Sequence, residues 1–334
     1  MSESLSAERR RRMLITALGA DIAAAMKEPT VVEIMVNPDG ALRLDRLGSG
    51  RIDTKVKLAP DQVERIIRLV ASHVRAEVHA GRPIISAELP PHADGRAGER
   101  FEGVLPPVSS APCFSIRKPA QRLHTLADYV ADGLMSETVA CALRAAVTER
   151  LNILVAGGTS SGKTTLANAL LAEMAPENSA VDSRVILIED TRELQCPLPD
   201  TVALRTRPPH VAMTDLVRST MRLRPDRIIV GEVRGPEALD MLKAWNTGHP
   251  GGVATIHANS AAAALTRLEQ LCQEAVITVP RPLIAEAIDV VVFIAGRGVD
   301  RRVATVARVI GLAPETGLYV LADLIPPAAK EKCR

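Results

Sequence analysis

The sequence predicts an α/β protein, in which a C-terminal domain with a mostly parallel sheet follows a smaller α+β N-terminal domain. From about residue 135 onward, apolar strand-like runs alternate with helix-like segments, and this alternation is typical of a parallel sheet with helices on both faces. The first third instead contains short strand-like segments separated by Pro and Gly turns. A length of 334 residues allows two or three domains at about 150 residues each.

We predict an N-terminal domain over residues 1–120, a linker over 121–134 and a second domain over 135–330. The linker is expected because the start of the segment 117–138 has little apolar periodicity and contains Pro and Gly. Residues 1–28 have the pattern of an amphipathic helix with an arginine run near its start. Such a helix can lie on an anionic membrane or a partner, or pack one face against its own domain, and the sequence leaves both alternatives open.

Two segments of the N-terminal domain have clear local signals. "TVVEIMVNPDGALRLDRL" alternates apolar and polar residues around the turn sequence 37–40, which predicts a β-hairpin. "APDQVERIIRLVASHV" follows with apolar residues at helical spacing and Asp61 near its start, which predicts an amphipathic helix.

Composition excludes several classes of protein. The five cysteines are isolated and form no C-x-x-C pair, which excludes a zinc ribbon or a disulfide framework and favours a reducing cytosol. No apolar stretch approaches the ~18 residues that a membrane-spanning helix needs. A net charge of +2 gives no general attraction to nucleic acid, and we expect no direct sequence-specific nucleic-acid binding.

The segment "GGTSSGKTT" matches the phosphate-binding loop pattern G-x-x-x-x-G-K-[ST]. The apolar run "ILVAG" before it predicts a buried strand, and "TTLANALLAEM" after it predicts a helix. Glycines let backbone N–H groups approach an anion, and the helix N-terminus adds positive potential. Lys163 is expected to reach the outer phosphates of ATP and Thr164 to bind Mg²⁺. The predicted nucleotide-binding residues are Gly157, Gly158, Thr159, Ser160, Ser161, Gly162, Lys163, Thr164 and Thr165.

Polar side chains follow three further predicted strands. "RVILIED" ends in Glu189 and Asp190, "RIIVGEVRG" contains Glu232 with Arg234 two residues on, and "GVATIHAN" contains His257. Ligands of open α/β sheets bind at the carboxyl ends of the strands. An ATPase needs carboxylates there to hold Mg²⁺ and polarise water, and a donor that responds to the γ-phosphate.

The residue before Glu232 differs from that of a generic NTPase. An aspartate is usual in this strand just before the catalytic acid, but here the residue is Gly231. A second carboxylate must therefore come from another strand, and Glu189 and Asp190 are the candidates. The predicted metal-binding residues are thus Thr164, Glu189, Asp190 and Glu232.

Four segments together resemble the motifs of the secretion or traffic ATPase superfamily: "GGTSSGKTT" its Walker A, "ILIEDTRELQ" its Asp box, "RPDRIIVGEVRGPEA" its Walker B and "TGHPGGVATIHAN" its His box. The N-terminal segments "EIMVNPDGALRLDRLG", "GRPIISAELPP", "ERFEGVLPPV" and "FSIRKP" resemble the type IV secretion branch, and most closely the conjugal transfer ATPases of the TrbB kind. The resemblance covers about residues 30 to 325. No zinc-binding cysteine cluster of the type II branch is present, and no N-K-x-D motif of a GTPase.

This resemblance implies a RecA-like P-loop NTPase domain at the C-terminus and a homohexameric ring. It also implies that the N-terminal domain closes over the nucleotide and delivers arginines to it, for which Arg100 in "ERFEG" and Arg117 in "FSIRKP" are the candidates. Glu232, Glu189 and His257 are the other candidate catalytic residues. At least one arginine between the Asp box and Walker B is expected to face a neighbouring subunit: Arg205, Arg207, Arg218, Arg222 or Arg224.

The resemblance further implies a motor that hydrolyses ATP to drive pilus biogenesis or DNA–protein transfer in type IV secretion. Its expected partners are inner-membrane components of that machine, and its expected location is the cytoplasmic face of the inner membrane, with peripheral membrane contact. A pilus-assembly or type II secretion ATPase is an alternative within the class. A DNA translocase or helicase, and a nucleotide-gated scaffold without hydrolysis, are alternatives from other classes.

Overall fold

A computed structural model describes residues 2–92, 97–119, 123–175 and 183–324 of the chain. The described residues divide into two compact units, with the boundary after residue 121. Each unit, called here the N-terminal unit and the C-terminal unit, has its own sheet and its own hydrophobic core.

The N-terminal unit is an α+β structure built on an antiparallel sheet of strand order β3-β2-β1-β6-β5-β4. Its elements are α1 (Ser2–Leu18), α2 (Ala20–Lys27), β1 (Val31–Val36), β2 (Ala41–Arg46), β3 (Gly50–Lys57), α3 (Pro60–His73), β4 (Ile84–Glu88), β5 (Arg100–Val104) and β6 (Cys113–Arg117). The predicted hairpin is confirmed, since β1 and β2 pair antiparallel across the turn at 37–40. The predicted amphipathic helix is α3, which buries Val63, Ile66, Ile67 and Val70.

The first segment differs from the single helix predicted over 1–28. Gly19 has a φ of 85°, outside the helical region, so α1 ends before it and α2 begins after it. Leu14, Leu18, Ile22 and Met26 are all buried in the core of the N-terminal unit. The apolar face of this segment therefore packs against its own domain, as in the second of the two alternatives that the sequence left open.

The C-terminal unit contains an eight-stranded sheet of order β14-β13-β12-β7-β11-β10-β8-β9. Its strands are β7 (Ile153–Gly157), β8 (Val185–Glu189), β9 (Thr201–Arg205), β10 (Arg227–Val233), β11 (Val253–His257), β12 (Val290–Ala295), β13 (Arg302–Leu312) and β14 (Tyr319–Asp323). Its α-helices are α4 (Leu126–Ala131), α5 (Glu137–Thr148), α6 (Lys163–Ala172), α7 (Met213–Thr220), α8 (Glu237–Asn246), α9 (Ala261–Gln273) and α10 (Arg281–Ala287). The strands from β12 to β9 are parallel, and β13 and β14 add an antiparallel edge. The predicted fold class is confirmed.

Both faces of the parallel sheet are buried, because side chains alternate along each strand. In β7, Ile153 and Val155 enter the core beneath α4, α5 and α6, whereas Leu154 and Ala156 enter the core beneath α7 to α10. The strands are therefore continuous apolar runs in the sequence. The polar residues Glu189, Glu232 and His257 lie at or near the carboxyl ends of their strands.

The segment 121–134, predicted as a linker, contains a helix. Thr125 caps α4 by accepting from the backbone N–H of Asp128, and the Asp128 carboxylate accepts from the backbone N–H of Thr125. Leu126 and Tyr129 are buried in the core of the C-terminal unit. Residues 126–131 thus belong to that unit, because capping and two large apolar side chains outweigh the weak periodicity of the segment.

Among the described residues, none of the helices is long and apolar enough to span a membrane.

Candidate nucleotide site

The glycine-rich loop joins β7 to α6 with an unusual backbone. Ser160 and Gly162 have φ values of 60° and 94°, in the left-handed region, and Gly162 is the N-cap of α6 without a side chain to occupy that position. The first backbone N–H groups of a helix have no partner within it. The loop therefore offers N–H groups and the positive end of a helix to an anion, as the sequence predicted.

Gly157, the first glycine of the loop, leaves no room for a side chain. A Cβ atom there would lie 2.5 Å from the Ser161 hydroxyl and 2.8 Å from the carbonyl oxygen of Ile294. Both distances are shorter than real Cβ contacts allow, so glycine is required for close packing of the loop against β12.

Lys163 lies at the start of α6 with only 7 % of its side chain exposed. Its ammonium group donates to the carbonyl of Gly158 at 3.0 Å and lies 3.8 Å from the carboxylate of Glu232. It also lies 3.4 Å from both ring nitrogens of His257. The structure thus brings together three residues that are separated by up to 94 positions in the sequence.

The strand order explains this meeting. β7, β11, β10 and β8 are consecutive neighbours and run parallel, so their carboxyl ends reach the same edge. In that order they carry the glycine-rich loop, His257, Glu232 and Glu189. The sequence prediction that the strand-end residues share an edge is therefore correct for all four strands.

Glu232 is held by two basic side chains besides Lys163. The His257 Nε2 atom lies 2.7 Å from Oε1 of Glu232, and the Nε atom of Arg234 donates to Oε2 at 2.6 Å. The guanidinium of Arg234 also lies 3.7 Å from the carboxylate of Asp190. Arg234 therefore links two of the candidate carboxylates. The sequence analysis noted Arg234 without assigning it a role, although its position two residues after Glu232 was the available signal.

His257 is suited to act as a neutral donor. Partial burial lowers the pKa of His257 below its ordinary value, and the charges of Lys163 and Arg234 act in the same direction. The carboxylate of Glu232 acts in the opposite direction without reversing the shift. A neutral imidazole at physiological pH can donate one N–H to a phosphate oxygen while its other nitrogen stays unprotonated.

Glu189 has a different environment from Glu232. It is 5 % exposed, and its Oε1 atom accepts from the backbone N–H groups of Glu193 and Leu194 at 2.9 and 2.8 Å. Burial is the main cause that raises the pKa of Glu189 to about 7. The residue thus anchors the loop that follows β8, a role that the sequence analysis did not foresee, and its catalytic and metal-binding roles stay predictions.

The glycine before Glu232 is explained by the position of Glu189. A Cβ atom on Gly231 would lie 3.0 Å from Cγ of Glu189. Glu189 therefore occupies the space that a side chain on Gly231 would need. A side chain on Gly231 would therefore require Glu189 to shift.

The oxygen donors at this edge fit Mg²⁺. Thr164 is the second residue of α6, and Asp190 and Glu232 are linked through Arg234. No group of three or more metal-binding side chains was found among the described residues. Mg²⁺ in phosphate sites is typically bound by one or two carboxylates, with phosphate oxygens and waters completing much of the shell. Glu189 is a weaker candidate, because its Oε1 already accepts two hydrogen bonds.

Arg100 and Arg117 lie in the N-terminal unit, directly opposite each other on β5 and β6. Glu88 on β4 is opposite Arg100, and Glu33 on β1 is opposite Arg117. Residues directly opposite in an antiparallel sheet share a face, so these four charges form a row across four strands. The structure brings the two candidate arginines together, and their role at a nucleotide stays a prediction.

The five arginines between the Asp box and Walker B all lie on the surface of the C-terminal unit. Arg218 forms an ion pair with Asp240 at 2.9 Å within the same unit. The others that were named as candidates for contact with a neighbouring subunit are Arg205, Arg207, Arg222 and Arg224.

Comparison with known proteins places the chain in a family. The family described as "Type II/IV secretion system protein" matches residues 50–306. The chain belongs to this family. It is 49 % identical to "Conjugal transfer protein TrbB" of Rhizobium radiobacter, over 93 % of this chain and 94 % of that protein. It is 31 % identical to "Type IV secretion system protein VirB11" of Bartonella quintana, over 76 % and 79 % of the two chains.

A solved structure has the same fold. The "ATPase DotB" of Legionella pneumophila is 18 % identical, with a TM-score of 0.57 over 80 % of this chain and 73 % of that one. The resemblance to the type IV secretion branch, drawn from the sequence motifs, is thereby confirmed through the relatives named above.

The environment of Glu189 predicts how the stability of the protein depends on pH. Because the folded pKa of about 7 exceeds the ordinary value of 4.5, protonated Glu189 stabilises the fold, and this stability is lost as pH rises through 7. Between pH 4.5 and 8 the loss should reach roughly 2–3 kcal/mol. Glu189→Gln keeps an acceptor for both N–H groups without a titrating proton. Urea unfolding should therefore show that the free energy of unfolding of the parent falls between pH 4.5 and 8 relative to that of Glu189→Gln, and that the two proteins differ least at low pH. If the free energies of unfolding of both proteins changed with pH in parallel, Glu189 would not be the titrating group.

Proposed function

We propose that this protein hydrolyses ATP to ADP and phosphate at the carboxyl edge of its parallel sheet. The observation that carries the proposal is the position of Glu232. Its carboxylate lies 3.8 Å from the lysine of the phosphate loop and 2.7 Å from His257. An acid next to a phosphate-binding lysine is placed to polarise the water that attacks a γ-phosphate.

Each residue at this edge has a separate task in that reaction. The loop N–H groups and Lys163 bind the phosphates, and Glu232 orients a water molecule and accepts its proton. His257 donates an N–H to the γ-phosphate, and Arg234 holds Glu232 and Asp190 in position. Mg²⁺, when bound, neutralises charge on the phosphate oxygens, with Thr164 and the carboxylates of Glu232 and Asp190 as its protein ligands.

The N-terminal unit is proposed to act as a second catalytic domain. In this proposal residues 1–120 and 135–330 are the two functional domains of each subunit in a homohexamer. Arg100 and Arg117 supply positive charge to the nucleotide when the domains close, and surface arginines of the 205–224 segment act across subunits. The cross-strand pairing of Arg100 with Arg117 supports their role at the nucleotide, since like charges placed opposite each other destabilise a sheet. A bound polyphosphate would relieve that repulsion.

The ATPase is proposed to drive conjugal transfer through a type IV secretion machine. Membership of the family and the 49 % identity to a conjugal transfer protein support this role. The proposed partners are inner-membrane components of that machine, and the proposed location is the cytoplasmic face of the inner membrane.

The transport role can be tested by complementation. In a Rhizobium radiobacter donor that lacks its related TrbB protein, this chain should restore plasmid transfer, and its Glu232→Gln variant should not. Transfer restored equally by both would favour a nucleotide-gated scaffold. Strong stimulation of the purified ATPase by DNA would favour a translocase instead.

Changing Glu232 to Gln should separate binding from chemistry. The amide keeps the shape of the side chain but neither accepts a proton nor polarises water, so hydrolysis should fall by about 10²–10⁴-fold. Binding of ATP, measured by isothermal titration, should persist. Lys163→Ala is the matched variant that should lose binding as well. Retained hydrolysis in Glu232→Gln would transfer the catalytic role to Glu189 or Asp190.

Changing Arg117 to Ala should reduce turnover far more than binding. A guanidinium directed at charge that develops in the transition state contributes about 10³ or more in rate. Arg51→Ala, an exposed arginine on β3 of the same sheet, is the control and should keep full activity. Steady-state hydrolysis and the Kd of an ATP analogue are to be measured for both. Equal hydrolysis by the two variants would leave the N-terminal unit without a catalytic role.

A further inference from the structure

The connection between β12 and β13 lies beside the phosphate loop. β12 pairs in parallel with β7, and Ile294 is opposite Gly157. After β12 the chain turns tightly, because Gly296 has a φ of 75° and a Cβ atom there would lie 2.1 Å from the carbonyl oxygen of Asp300. This turn returns the chain to the sheet at Arg301, just before β13.

The guanidinium of Arg301 packs against the second glycine of the loop. A Cβ atom on Gly162 would lie 3.1 Å from each of the Nε, Cζ and Nη1 atoms of Arg301. Three equal distances mean that the flat face of the guanidinium covers Gly162. Its N–H groups lie along that plane and are therefore not directed at the backbone of Gly162.

Arg301 has no anionic partner in the part of the chain that the structure describes. Its Nε atom is buried without a hydrogen bond, and none of the ion pairs among residues 2–92, 97–119, 123–175 and 183–324 includes it. Other arginines of the C-terminal unit are paired, for example Arg144 with Glu137 and Arg281 with Glu269. A partly buried charge without a partner is costly, so an unpaired guanidinium at a functional edge indicates an anion that binds there.

A buried hydroxyl group next to Arg301 does not supply that partner. Tyr129 of α4 is 1 % exposed, and its hydroxyl makes no hydrogen bond to any described residue. Burial raises the pKa of Tyr129, and the charge of nearby Arg301 acts in the opposite direction. The Tyr129 hydroxyl and the Arg301 Nε atom both retain capacity for a hydrogen bond.

We propose that Arg301 is a phosphate-binding residue of the nucleotide site, which acts on the same subunit from the β12–β13 connection. This inference rests on the proposed function and adds a residue to its binding site. Lys163 has a carboxylate, that of Glu232, 3.8 Å away, whereas none of the ion pairs among the described residues includes Arg301. Arg301 is already at the loop, so it binds the ground state and contributes to the affinity of ADP as well as of ATP.

The experiment measures ADP binding to the full-length chain by isothermal titration with Mg²⁺. Arg301→Met and Arg301→Gln keep much of the length of the side chain but remove its charge, and Arg301→Lys keeps the charge without the fork of donors. Loss of a charged hydrogen bond should weaken ADP binding by roughly ten- to a hundredfold in the uncharged variants. Arg301→Lys should be intermediate. Arg302→Ala, an exposed neighbour on β13, is the control and should bind as the parent does.

Comparison of the variants separates binding from folding. If the role of Arg301 were purely structural, its uncharged variants would melt at a lower temperature than the parent in the absence of nucleotide. Arg301→Lys would then bind ADP no better than Arg301→Met and Arg301→Gln. That result, or ADP affinity within twofold of the parent in Arg301→Met and Arg301→Gln, would overturn the inference. Failure of the proposed function is distinguishable, because then the parent itself would bind neither ADP nor ATP, or Lys163→Ala would bind both normally.

Discussion

Parallel hydrogen bonding between β7, β11, β10 and β8 is the constraint on which the site depends. It aligns the carboxyl ends of four strands whose residues lie far apart in the sequence. Both faces of these strands are buried, so their interiors are mostly apolar, and the ionisable residues Glu189, Glu232 and His257 come at or near the carboxyl ends. The same packing that forms the core thus also concentrates polar chemistry at one edge.

Two carboxylates at that edge, those of Glu232 and Glu189, have different surroundings. Glu232 is partly exposed and contacts Lys163, His257 and Arg234. Glu189 is buried, and its raised pKa of about 7 reflects the cost of placing a charge there. Glu232, the proposed base, thus lies among basic side chains, whereas Glu189 fixes a loop and fills the space beside Gly231. Different environments, rather than different side chains, assign the two roles.

A row of four charged residues crosses the antiparallel sheet of the N-terminal unit. Arg100 and Arg117 are opposite each other, with Glu88 and Glu33 at the ends of the row. The flanking carboxylates offset part of the repulsion between the arginines, so the pair is held at a moderate cost to stability. The strand register places the two arginines side by side, as their proposed role at a polyphosphate requires.

The sequence by itself determined the α/β class, the phosphate loop and the strand-end residues, because these depend on local spacing: glycines at a turn, apolar runs and the polar residue that ends each run. It also determined the family, through the order of four motifs. Only the tertiary structure decided which groups touch. The break at Gly19, the helix within the expected linker, the link from Arg234 to two carboxylates, the anchoring role of Glu189 and the position of Arg301 against the loop were not foreseen. The contact of Arg234 with Asp190 and the position of Arg301 depend on strands or loops distant in sequence, and such contacts leave no periodic signal in the chain. The hydrogen bonds to Glu189 are local, but they form within an irregular loop that has no periodicity.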